Sequence, residues 1–156
     1  MDPTEHEPLM AAIGRIAVRA AELGDHIDYC VSLLRPGTPK WKSARLMLGA
    51  KLEAAMEAAN EGTLARNPGL KAAFVELCNA CLGLLPDRNS PVHSTYIVDD
   101  DGIVKWDNRE GPEVVTVDGL NATATQFAGA ASNALSLGLD IRDFINSGIV
   151  SARYLA

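Results

Sequence analysis

The chain has 156 residues, 47% of them hydrophobic, which suffices for one domain with its own core. Its formal net charge of −6 excludes a protein that coats nucleic acid through bulk positive charge, though not one with a local basic pocket. Aromatics are only 5%, and an apolar content carried largely by Ala and Leu favours helices. No apolar run approaches the length of a membrane span, and Met1-Asp2-Pro3-Thr4-Glu5 lacks the basic start and apolar stretch of a signal peptide. The expectation is a cytoplasmic chain with no membrane partner. The three cysteines, an odd number, fit a reducing compartment.

The first predicted helix runs from about Glu7 to Leu34. Leu9, Ile13, Ile16, Ala20, Leu23, Ile27, Cys30 and Leu34 recur every three or four residues, giving one buried stripe. Arg35-Pro36-Gly37-Thr38-Pro39 stops it. A second helix is predicted over Lys40 to Asn60, with Trp41, Ala44, Leu48, Leu52, Ala55 and Ala59 in line. Leu46, Met47 and Met56 widen that stripe, and Gly62 serves as a C-cap. Asn67 as cap and Pro68 in the first turn open a third helix, with Leu70, Phe74, Leu77, Cys81 and Leu84 inward. Pro86 marks its end or a kink.

After His93 the period changes. Ser94 to Val98 and Ile103 to Trp106 are β-prone and flank Asp99-Asp100-Asp101-Gly102, which is turn chemistry, so a hairpin is expected. Glu113 to Val117 is read as a third short strand. Asp118 is the expected N-cap of a last helix whose stripe is Leu120, Ala124, Phe127, Ala131, Ala134, Gly138, Ile141 and Ile145, ending near Asn146. The predicted fold is mainly α: a four-helix up-and-down bundle with a small β-hairpin, about residues 94–117, inserted between the third and fourth helices.

The sharpest chemical signal is Arg88-Asn89-Ser90-Pro91-Val92-His93. A histidine gives and takes protons near neutrality, and an arginine offers a planar fork of donors that fits a phosphate. RNA carries its own nucleophile, the 2′-hydroxyl. Cleaving it without a metal needs a base, charge stabilisation at the phosphate and an acid for the leaving oxygen. One Arg and one His supply two of these roles, and a His from a second chain would supply the third. Residues four apart share a helix face, so Asn89 and His93 stack, whereas Arg88 points well around. Pro91 is expected to kink the helix or to begin a new turn capped by Ser90. The alternative reading is structural: Arg88 bridged to Asp87 or another carboxylate, and His93 bonded to a backbone carbonyl.

Arg88, Asn89 and His93 resemble the HEPN motif, an Arg followed by a polar residue and a His four to six positions after the Arg. The layout of long helix, motif, hairpin and closing helix resembles that superfamily too, over a single domain of residues 1–156. The resemblance implies a helical homodimer with Arg88 and His93 in a cleft between chains. It also implies a metal-independent endoribonuclease acting on RNA in toxin–antitoxin, defence or RNA-processing systems, with Arg88, Asn89 and His93 as catalytic residues and no cofactor. The superfamily also holds inactive members, so the alternative is a non-catalytic helical binding or dimerisation module with a regulatory role. An antitoxin or regulatory protein would be its partner. The toxin branch paired with a nucleotidyltransferase carries a Tyr two residues after the His. Here Thr95 stands there and Tyr96 follows, so tyrosine modification is not carried over.

Cys78-Asn79-Ala80-Cys81 lies inside the third predicted helix rather than at a helix start, and is read as buried and inert. Glu5-His6-Glu7 and Asp25-His26-x-Asp28 are read as solvated helix surface, without the doubled Glu-x-x-His of a bundle metal site. No metal is expected. Tyr96 and Trp106 on adjacent strands are expected to pair across them.

Overall fold

A computed structural model describes residues 3–38, 46–93, 95–98, 100–101, 103–108 and 111–155. Helix α1 spans Pro3–Leu34, α2 Leu48–Asn60, α3 Pro68–His93 and α4 Val117–Ser147, with β1 Thr95–Val98, β2 Val104–Asn108 and β3 Gly111–Val114 between α3 and α4. This is the mainly α four-helix bundle expected, with its small antiparallel sheet in the expected place.

Helix α1 begins four residues earlier than its pattern suggested, because Pro3 suits a first turn, where a missing N–H costs nothing. Its buried stripe is Leu9, Ala12, Ile16, Ala20, Leu23, Ile27, Cys30, Val31 and Leu34, with Ile13 only half-buried. Helix α2 is shorter than expected. Met47 is extended (φ −67°, ψ 156°), so Leu46 and Met47 precede the helix and lie exposed instead of widening its stripe. Trp41 and Ala44 lie outside the described residues. Gly62, at φ 103°, follows the C-cap Glu61 and takes the left-handed turn that glycine allows.

Asn67 caps α3 as expected: its Oδ1 accepts the Leu70 N–H at 3.1 Å, and Pro68 is the first helical residue. The helix then runs through Pro86 and Pro91 to His93. Of the alternatives read at the two prolines, neither the end at Pro86 nor the new turn capped by Ser90 forms, because one helix continues to His93. Each proline forfeits one intrahelical bond, and Leu84 and Leu85 pack against the core on this stretch. Leu70, Phe74, Cys78 and Cys81 are the buried positions, with Leu77 and Leu84 partly exposed. Pro68–Arg88 is also long and apolar enough to cross a membrane by length and composition, contrary to the expectation from apolar runs. Lys71 and Glu76 are the only charges between Pro68 and Pro86. In this fold its inward face packs in the bundle.

The sheet has three strands in the order β1-β2-β3, both pairs antiparallel. Tyr96 and Trp106 are register partners. Pro112 sits on the edge strand, where its missing N–H breaks no inner ladder. The third strand is Gly111–Val114 rather than Glu113 to Val117, because Thr116 ends it: its Oγ1 accepts the Gly119 N–H at 3.0 Å and starts α4. Thr116, not Asp118, is therefore the N-cap, and Asp118 falls in the first turn, where a carboxylate suits the helix dipole. At the other end Phe144 is buried and Ile145 exposed, a reversal of the expected stripe. Gly148 (φ 68°) closes the helix by donating to the Phe144 carbonyl at 2.8 Å.

Helices α1 and α4 form the central pair. Their contacts advance in step: Arg15 with Asn121 (2.8 Å), His26 Nδ1–H donating to the Ala131 carbonyl (2.8 Å), and Cys30 with the Ala134 carbonyl (3.6 Å). They therefore run parallel. Helix α2 also runs parallel to α1, from Lys51 beside Asp28 to Glu61 beside Arg35. Only α3 runs the opposite way, with Leu85 beside Gly49 and Gly69 beside Tyr154. This refines the up-and-down expectation. It also brings the C-terminal turns of α3 against the middle of α1.

Candidate functional site

Arg88, Asn89 and His93 all lie on the last turns of α3, the helix that also touches β2. In a regular α-helix Asn89 and His93 are about 40° apart and Arg88 and His93 about 140° apart around the axis. The side chains of Asn89 and His93 fall outside the described residues. That of Arg88 is half-buried, with its Nε shielded from solvent.

Arg88 opens onto a cleft of about 200 Å³ between α1, α2 and α3. Ala17, Ala20, Ala21, Gly24 and Asp25 of α1 form one wall, and Leu46, Leu48 and Lys51 another. Four small residues along two turns of α1 keep that wall low. Gly24 is buried under Lys51: a β-carbon there would stand 3.7 Å from both its Cδ and Nζ. Lys51 is held in turn by Asp28, Nζ to Oδ2 at 2.5 Å, with side chains only 11% and 20% exposed. The cleft thus carries two cations, Arg88 and Lys51, and the carboxylate of Asp25. A phosphate fits the cations, and a donor-bearing edge fits the carboxylate.

Sequence reasoning missed Lys51. No motif marks it, and its place beside Arg88 depends on α2 running parallel to α1. Of Asp25, His26 and Asp28, all expected on solvated helix surface, only Asp25 is exposed. His26 is half-buried and tied to α4, and Asp28 is tied to α2. His6 and Glu7 are exposed, as expected. Among the described residues, no three His, Cys, Asp or Glu side chains converge as a metal site.

Cys30, Cys78 and Cys81 are free and buried. Burial pushes their thiols up, to about 12 for Cys30 and Cys78 and about 11 for Cys81, so none is a thiolate nucleophile near neutrality. A second cavity, about 280 Å³, lies between the start of α3, the end of α4 and the C-terminal turn Ala152–Tyr154, and Asn67, Asp140, Phe144 and Tyr154 line it. Its charges are largely matched: Tyr154 donates its hydroxyl to Asp140, Arg153 pairs with Asp140 at 3.3 Å, and Arg142 pairs with Asp143.

Comparison with protein-family models, with curated proteins and with solved structures found no match to this chain.

Proposed function

We propose that this chain is a HEPN-like protein that acts on RNA as a homodimer, as a metal-independent endoribonuclease. The observation that carries the reading is the Arg88-Asn89-x-x-x-His93 element on the last turns of the third helix, with the Arg88 side chain at a cleft between helices. Arg88 holds the scissile phosphate through its guanidinium fork. His93 is the general acid/base, and Asn89 orients the His or the phosphate. Because Arg88 and His93 diverge around the helix axis, a second chain completes the site by presenting its own His93. Lys51 adds a second cation beside Arg88.

The test is to incubate purified protein with mixed RNA in EDTA beside His93→Ala and Arg88→Ala. Cleavage by the wild type that both variants lose supports the reading. Equal cleavage by wild type and His93→Ala, or none by either, sinks it. The net charge of −6 favours a second reading, a non-catalytic helical binding or dimerisation module with a regulatory protein partner. In that case the protein dimerises or captures a partner without cleaving RNA.

A further inference from the structure

The cleft beside Arg88 holds polar groups that phosphate binding leaves unused. Asp25 is exposed, lines the cleft, and makes no hydrogen bond or ion pair among the described residues. Lys51 has three ammonium donors, and its bond to Asp28 fixes one of them. The wall of Ala17, Ala20 and Ala21 offers a low apolar surface against which a planar ring can lie, while Lys51 and Leu48 cover Gly24 and Leu46 lines the same cleft.

We propose that this cleft is a nucleobase subsite that takes guanine. The Watson–Crick edge of guanine sets one acceptor, O6, beside two donors, N1–H and N2–H. The Lys51 ammonium donates to O6 and the Asp25 carboxylate accepts from the two N–H groups. Adenine presents an amino donor where guanine has O6 and an acceptor where guanine has N1–H, so it faces Lys51 and Asp25 with the wrong polarity at both. Unstacked single-stranded RNA exposes this edge to a protein. The base lies against Asp25 and Lys51, and the phosphate of the same nucleotide meets Arg88. The inference rests on Arg88 as a phosphate-binding group and extends that role by giving the RNA a preferred base.

The experiment is calorimetric titration of the full chain with GMP and with AMP, for wild type, Asp25→Asn and Ala21→Leu. Asp25 and Ala21 are both exposed, so neither change threatens the fold, and circular dichroism confirms this for each. The expected result is GMP bound at least about tenfold more tightly than AMP, a preference that Asp25→Asn abolishes. Ala21→Leu, which fills the wall, weakens both nucleotides. Equal affinity for GMP and AMP, no binding of either, or an Asp25→Asn variant that keeps the preference overturns the subsite. The two readings fail separately. RNA cleavage that depends on His93 without a guanine preference removes the subsite and leaves the ribonuclease. A guanine preference without cleavage does the reverse.

Discussion

The ammonium of Lys51 on α2 meets the carboxylate of Asp28 on α1 at 2.5 Å, across two helices that run in the same direction. Both side chains are mostly withdrawn from solvent, so the pair is better shielded than a surface ion pair yet short of full burial. Lys51→Met strands Asp28 and is expected to cost about 1–3 kcal/mol, between the two regimes. Lys51→Met with Asp28→Asn recovers part of that loss, since no charge is then left unmatched. Urea unfolding of the wild type and the two variants checks this. A Lys51→Met protein as stable as wild type would show that the pair holds nothing.

The approach of α1 to α4 turns on Gly138. A β-carbon there would lie 2.9 Å from the Tyr29 ring and 3.1 Å from the Cys30 sulfur. Gly138→Val is expected to destabilise by about 1–3 kcal/mol through overpacking. Gly138→Ala costs less, because the gain in helix propensity, about 1 kcal/mol, offsets part of the clash. Thermal melts of both variants decide it, and a Val variant that melts with the wild type would mean the helices can separate freely.

The helices were legible because each carries an unbroken apolar stripe and three have a stop or cap at an end: Pro36-Gly37, Gly62, and Asn67-Pro68. Where the reading slipped, two residues competed for one role. Thr116 and Asp118 can both cap α4, and Thr116 wins because Val115 still donates to the Val104 carbonyl and fixes where the strand ends. Phe144 and Ile145 both continue the stripe, and Phe144 is the one that is buried, lining a cavity with Tyr154. The motif residues were legible as a string, but their surroundings were not. Lys51 and Asp25 come to Arg88 through the parallel course of α1 and α2, which no local period encodes.

The three thiols give a prediction with a definite sign. Each folded value lies above the ordinary 9.0 because burial disfavours the thiolate, so the folded protein holds these protons more tightly than the unfolded chain. Their contribution to stability is full below pH 9 and is lost as pH rises through about 11 and 12. At neutral pH an alkylating reagent is expected to leave the native protein unlabelled and to label all three cysteines, Cys30, Cys78 and Cys81, once it is denatured. Mass spectrometry reads the count, and rapid labelling of the native state would contradict the burial.

Tyr154 titrates by the same logic but reports one segment. Its hydroxyl is pushed up to about 12, first by burial and then by its bond to the Asp140 carboxylate, which a tyrosinate would repel. The docked C-terminal turn is therefore stable below pH 10 and loosens as pH rises from 10 to about 12. Gly69 makes the docking possible, because a β-carbon there would collide with the Tyr154 carbonyl and stand 3.1 Å from its Cβ. Gly69→Ala is expected to release the turn while leaving the bundle folded, since alanine suits the first turn of α3. Tyr154 in that variant should titrate near the ordinary 10.0, seen as tyrosinate absorbance missing from a Tyr154→Phe control. An unchanged late titration in Gly69→Ala would mean that the turn holds without the close approach.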